Sequence, residues 1–280
     1  PSRLSAMGQY VTAEQLPQST ITFNLLVMIG FGLAPIVLTI IQDAFGWPYV
    51  IVTSISMFVV SSALLINSPN DHKRLSHRNL KHEWQDCFKA LSHLPIIVQL
   101  LLAAVVGYLL MGPMQVILPQ VAVGQLGLDN IEKGQYLGLI ALSLIVGGVA
   151  AMVLKNKVHI GYTILVLLFF CGMTIFLLGM INTVWLSCII LIIGTTLSGI
   201  VVSFILAGLQ HYTPVAIRGR VMSIYTIISQ VVSAMAGLLA GAIAQQVSVP
   251  ASLYVISVLF IVCTVLLAMK ATHLKAFKAF

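Results

Sequence analysis

Acid–base and metal chemistry need carboxylates, imidazoles or thiols at fixed spacing, and this 280-residue sequence holds few of them. Its acidic residues are Glu14, Asp43, Asp71, Glu83, Asp86, Asp129 and Glu132, so residues 133–280 contain neither Asp nor Glu. No H-E-x-x-H, G-x-S-x-G or phosphate-binding glycine loop occurs, and no carboxylate pair shares an apolar run. The residues therefore point away from an enzyme. His77, His82 and His93 with Cys87 are the densest set of metal-ligand types, but their spacing matches no standard zinc pattern. The other cysteines, Cys171, Cys188 and Cys263, sit in apolar runs as small hydrophobes. We expect no disulfide, metal or cofactor. Asp43, at the end of the first apolar run, is the one carboxylate placed to face a membrane cavity, and it is the candidate for ion coupling.

Uncharged polar residues form a clearer pattern. Tyr108, Met111 and Gln115 follow helical spacing, as do Thr196, Gly199, Ser203 and Gln210, and Met222, Tyr225, Ser229 and Ser233. These three faces are the candidate lining of a lumen, and their hydroxyl, amide and thioether groups suit a neutral or mixed organic substrate. Between the second and third faces, Pro214 sets a turn and Gly219 permits close backbone approach. Arg218 and Arg220 supply planar donors able to bracket helix ends. Residues 210–225 read either as a gating loop or as a plain basic anchor at the cytoplasmic face. Gly112-Pro113 and Gly30 with Pro35 read as internal helix breaks, since proline removes a backbone hydrogen bond.

The elements that position these residues follow from composition: 59% of the chain is apolar and 8% charged, with a mean hydropathy of +1.06. A water-soluble core cannot hide that much apolar surface, so lipid is the solvent. Windows long enough to cross a bilayer fall at 20–41, 48–67, 95–118, 135–154, 160–180, 184–209, 221–244 and 250–269, predicting eight spans. The net charge of +7 lacks the basic–aromatic mixture of a nucleic-acid groove. With both termini cytoplasmic, 13 of the 14 Lys and Arg residues lie inside and only Lys133 outside. Trp47, Tyr49 and Trp185 fall at outer span ends as interfacial anchors. Residues 68–94 form a long polar loop in which Trp84, Phe88, Leu91 and Leu94 recur at helical spacing, predicting a surface helix. Small residues spaced by four, Gly134 and Gly138, Gly147 and Ala151, Gly237 and Gly241, predict close helix packing.

The run Thr213-Pro214-x-x-x-Arg218-Gly219-Arg220-Val221-Met222-Ser223-x-Tyr225, followed by Ala240-Gly241, resembles the loop between helices ten and eleven of major facilitator superfamily transporters. Its likeness is to the siderophore- and macrolide-efflux exporter branch. Phe23-Asn24 with Gly30-x-Gly32-x-Ala34-Pro35 resembles the antiporter motif of that family's fifth helix, although the glycine before proline is absent. The resemblance implies an all-α polytopic membrane protein whose eight spans correspond to helices five to twelve of a twelve-helix fold. Residues 1–67 then belong to the N-terminal half, 68–94 are the central cytoplasmic loop and 95–280 the six-span C-terminal half. The chain, which starts at Pro1, reads as a piece of a longer protein whose four preceding helices are needed for transport. Further implications are export of a small organic compound across a bacterial inner membrane by alternating access, and proton antiport. Asn24, Tyr108, Met111, Gln115, Thr196, Ser203, Tyr225 and Ser229 would touch substrate, while Gly112, Pro113, Pro214, Arg218, Gly219 and Arg220 would gate. Lys155-Asn156-Lys157 departs from the family's acidic-basic loop motif, because it lacks an Asp. The alternative is a non-transporting membrane scaffold, or a sensor acting through residues 68–94.

Overall fold

The computed structural model describes residues 15–66, 91 and 93–277. Among them the chain is helical, without strands, and seven helices are long and apolar enough to cross a membrane. The helices are α1 (Leu16–Phe45), α2 (Trp47–Ile66), α3 (Pro95–Gln120), α4 (Asn130–Leu154), α5 (Ile160–Met180) and α6 (Val184–Tyr212). There follow α7 (Val215–Ile227), α8 (Ser233–Gln246), α9 (Val249–Lys270) and the short α10 (Thr272–Lys275). The π-helical segment Val121–Gln125 extends α3, and Ile228–Val232 joins α7 to α8 into one apolar span from Ile217 to Gln246. The expected first span lies within α1, whose 30 residues reach about 45 Å; its described apolar stretch is Ile36–Phe45. Continuous helix is what lipid demands, because a backbone amide unpaired in hydrocarbon has no water to turn to.

Boundaries follow local chemistry. α1 ends at Gly46, whose φ of 84° is easy for glycine, and α2 starts one residue later. Asp129 caps α4 by accepting from Glu132 N at 2.8 Å, while Glu132 Oε2 accepts from Asp129 N at 3.1 Å. Lys133 Nζ reaches Asn130 Oδ1 at 3.1 Å, so these two carboxylates serve the helix start.

Two expectations are corrected here. Gly112-Pro113 and Gly30 with Pro35 do not interrupt their helices: α3 and α1 run through both sites. Proline costs α3 one bond to the Leu109 carbonyl, and tight packing on several sides holds the helix together. Residues 210–225 are not a loop either. Only Thr213 and Pro214 are non-helical, and Arg218, Gly219 and Arg220 lie in the opening turns of α7. Proline at a helix entrance is pre-set for starting the next helix, so the turn needs no more residues. The expected surface helix of 84–94 lies outside the described residues apart from buried Leu91, exposed His93 and half-buried Leu94. So do Trp84, His77, His82 and Cys87.

Helices α3 to α9 share one apolar core that runs from Leu91 and Ile97 through Phe204 and Met222 to Leu274 and Phe277. α4 packs along α6, α3 against α8, and α5 against both α6 and α9. α1 lies across α4 and α6 and carries α2 on its outer side. Glycine sets the closest approaches: a Cβ on Gly112 would run into the Ser233 carbonyl oxygen and lie 2.9 Å from Gly237 N. A Cβ on Gly147 would strike the Thr196 carbonyl oxygen and lie 3.0 Å from Gly199 Cα. Neither obstacle is a flexible side-chain tip. Gly147→Ala should therefore lower stability in detergent by about 1–3 kcal/mol, the usual cost of overpacking. Gly124→Ala, with nothing within 4 Å of the new methyl, should leave the thermal midpoint unchanged or slightly raised.

Candidate functional site

The three polar faces meet unevenly. Tyr108 on α3 and Tyr225 on α7 share a hydroxyl–hydroxyl hydrogen bond of 2.8 Å. Their rings are edge to face with centroids 5.9 Å apart, a favoured aromatic geometry. Helical spacing aims both inward: Tyr225 lies one turn beyond Val221 and Met222, whose side chains anchor α7 in the core. Beside the pair is a cavity of about 20 Å³, walled by Met111, Leu168, Cys171, Ser198 and Phe260 among others. One water molecule needs about 10–15 Å³ by this kind of measure, so the cavity has room for a water and not for an organic molecule. Cys171 is held in the wall by a 3.7 Å contact from its thiol to the Gly194 carbonyl.

A second junction joins α6 to α7. Gln210, fully buried, donates from Nε2 to Met222 Sδ at 3.4 Å. One turn before Met222, Arg218 Nη2 donates to the Thr213 carbonyl at 3.3 Å, which ties the start of α7 to the end of α6. Neither the Thr213 hydroxyl nor Arg218 Nε, both buried, has a hydrogen-bond partner among the described residues.

The remaining candidates lie apart from this centre. Gln115 is exposed, a full turn beyond Met111. Thr196 is half-buried where α6 meets Gly147 of α4. Ser203 is buried, and its hydroxyl has no partner among the described residues. Ser229 turns back on the Thr226 carbonyl at 2.8 Å. Gly112 is buried against Ser233 and Gly237, next to buried Pro113. Pro214 is exposed; Gly219 and Arg220 are half-buried. Asp43 is exposed near the end of α1, and the Asn24 side chain lies outside the described residues.

Sequence reasoning missed Cys171 and Ser198. Cys171 shares a helical stripe with Leu168 and Ile175, and nothing in that stripe separates a cavity wall from plain core. It also missed Gln125, which donates from Nε2 to the Ile181 carbonyl at 2.7 Å and to Asn182 Oδ1 at 3.3 Å, closing the other end of the bundle. An amide in an apolar run is the signal that would have found it, because such a group must find partners within the protein.

Each tyrosine hydroxyl is the other's partner, so removing one leaves the other buried alone. Tyr108→Phe or Tyr225→Phe should each cost about 1–2 kcal/mol, whereas the double variant should cost less than the sum of the two. Thermal or denaturant unfolding of all four proteins in one detergent checks this coupling.

Residues 1–237 match a family model described as Major Facilitator Superfamily. Comparison with curated proteins finds no match.

Proposed function

We propose a specific transport role for this chain, which belongs to the Major Facilitator Superfamily and is a multi-pass membrane protein of a transporter family: it exports a small, uncharged or mixed organic compound by alternating access, coupled to proton entry. The observation that carries the reading is the Tyr108–Tyr225 bond beside a narrow cavity of about 20 Å³. Drug-sized ligands occupy about 300–1,000 Å³. Substrate reaches this site only when α3 and α7 part, and the tyrosine pair is the polar contact that parts with them.

Substrate chemistry follows from the wall. Tyrosine, serine, methionine and cysteine groups line the cavity, and residues 133–280 offer no carboxylate to a cation. A neutral ring system with one or two hydrogen-bonding groups fits best, and one of those groups replaces a tyrosine hydroxyl as the other's partner. Arg218, with the turn at Pro214, gates the end where α6 and α7 join. Gly219 and Arg220 belong to the same gate, and Gly112 and Pro113 are the contact on which α3 turns against α8.

The packing of α1 across α4 and α6 supports the domain reading. In it, residues 1–67 belong to the N-terminal half, 68–94 to the central loop and 95–280 to the complete second half. The eight helices take positions five to twelve of a twelve-helix fold, with both termini in the cytoplasm of a bacterial cell. Four helices outside this sequence supply the rest of the transport path, and Asp43 is the coupling candidate on this chain.

The test is efflux of the neutral fluorescent compound Nile red from cells expressing the full-length transporter. Tyr108→Phe and Tyr225→Phe should each raise the apparent KM about fivefold, the worth of one hydrogen bond, at unchanged membrane abundance. Arg218→Gln should lower the maximal rate instead. Efflux equal to that of cells without the transporter overturns the reading, as does an unchanged KM in both tyrosine variants.

A further inference from the structure

Beyond α9 the chain turns back under the bundle. Ala271, Leu274 and Phe277 are buried there. Gln99 of α3 holds this strap twice: its Nε2 donates to the Lys270 carbonyl at 3.4 Å, and its Oε1 accepts from Leu274 N at 2.6 Å. On α5, Gly161 N donates to the Phe277 carbonyl at 3.2 Å, and a Cβ on Gly161 would collide with the Leu274 carbonyl oxygen. The Phe277 ring stands edge to face on Tyr212 of α6 at 5.1 Å. A segment fixed at four points presents a fixed outer edge, and that edge is Lys270, His273 and Lys275, all exposed.

Against the strap lies the turn between α4 and α5, which closes at Gly161. It contributes half-buried Lys155 and exposed Lys157 and His159. Two basic turns therefore meet along one seam. Sequence gives them no carboxylate anywhere from 133 onward. The nearest described carboxylates on α4, Asp129 and Glu132, cap its opposite end, about 37 Å away along 25 residues. That is several Debye lengths at physiological salt.

The seam also sits at a defined depth. Tyr162 directly follows Gly161 and is 60% exposed, and Met269 directly precedes Lys270 and is 72% exposed. Large exposed apolar side chains one residue from the cations place the charge where the apolar belt ends, at the level of lipid phosphates.

We propose that the seam between the α10 strap and the α4–α5 turn is a docking surface for anionic phospholipid head groups, with Lys155, Lys157, Lys270 and Lys275 facing the phosphates. Charge complementarity and depth together select the occupant: an acidic soluble protein would meet the charge but not the apolar rim. Cardiolipin, with two phosphates, can bridge the two turns.

The test uses the full chain in nanodiscs of phosphatidylcholine with about 30 mol % phosphatidylglycerol or cardiolipin, followed by native mass spectrometry of retained lipid. Wild-type protein should retain anionic over zwitterionic lipid by about tenfold. Lys155→Gln/Lys157→Gln/Lys275→Gln should remove most of that preference, and Lys133→Gln at the other end should keep it. Lys157→Glu, a single change on an exposed turn, gives the same reading if the triple variant fails to insert. Equal retention of both lipid classes by wild type overturns the proposal. So does a preference that survives both seam variants, or one lost only in Arg218→Gln/Arg220→Gln, which would assign the site to the α6–α7 turn.

Discussion

Helices that meet inside lipid gain little from shedding water, so what binds them is atomic contact over short distances, and in this bundle that contact depends on missing side chains. Gly112 lets α3 lie on the Ser233 carbonyl, Gly147 and Gly199 let α4 and α6 touch backbone to backbone, and Gly161 lets the strap close on α5. Remove any of these and the neighbour has no rotamer to yield with, because the obstacle is main chain. The polar geometry rests on the same contacts. Tyr108 lies one turn before Gly112, so the depth at which α3 meets α8 fixes where its hydroxyl falls relative to Tyr225 on the continuous α7–α8 span.

Polar groups in the apolar interior divide into two kinds. Many short hydroxyls are satisfied within their own helix, as Ser143 on Leu139, Thr174 on Cys171, Thr226 on Met222 and Thr264 on Phe260. They cost little and join nothing. The longer groups reach across: Tyr136 to Ser187, Tyr254 to Gly179, Gln99 to the strap, Gln125 to the end of α5, and Tyr108 to Tyr225. Most of these end on main chain or on a shielded serine, so their geometry is set by the fold. The tyrosine pair differs, since both ends are side chains beside a cavity and a ligand group can stand in for either.

Spans were legible in the sequence because a run of apolar residues near Ile160–Met180 or Val249–Lys270 has no other way to fold in lipid. Helix ends were less legible: the apolar windows stop at 41 and start at 135, whereas α1 runs to its Gly46 cap and α4 starts at the Asp129 cap, because polar residues extend both helices past the apolar run. The tyrosines were legible, because helical spacing put each on a polar face. Reading fails where the answer lies in a neighbour. Gly112-Pro113 carries a break signal in its own sequence, and only Ser233 and Gly237 across the contact show that it is a packing site. Arg218 looked like loop because arginine and glycine are poor span formers, yet one proline suffices for the turn and the helix absorbs the rest. The strap was invisible because seven residues carry no period, and Gln99, its partner, is far away in sequence.

Electrostatics narrows what helices α4 to α9 can do. With no Asp or Glu after Glu132, helices α5 to α9 contain no carboxylate that could take up and release a proton near neutral pH, and the one in α4, Glu132, is engaged in the capping box of its first turn. Tyrosine and cysteine hold their protons well above that range even in water. In the proposed antiport, proton movement thus falls to Asp43 or to groups outside these helices, and α3 to α9 serve to bind substrate and change shape. That division fits the structure's asymmetry. The span made of α7, a π-helical turn and α8 buries less of its surface than any other from α3 to α9, and what it buries lies largely along α3, where the Gly112 contact and the Tyr108–Tyr225 hydrogen bond join the two. The strap instead ties α3, α5 and α6 together at one end through main-chain bonds and ring stacking. The least buried span thus meets α3 at the Gly112 contact and at the Tyr108–Tyr225 bond, while the strap ties α3 to α5 and α6 at one end; in the proposed transport cycle that bond is the polar contact between the two groups.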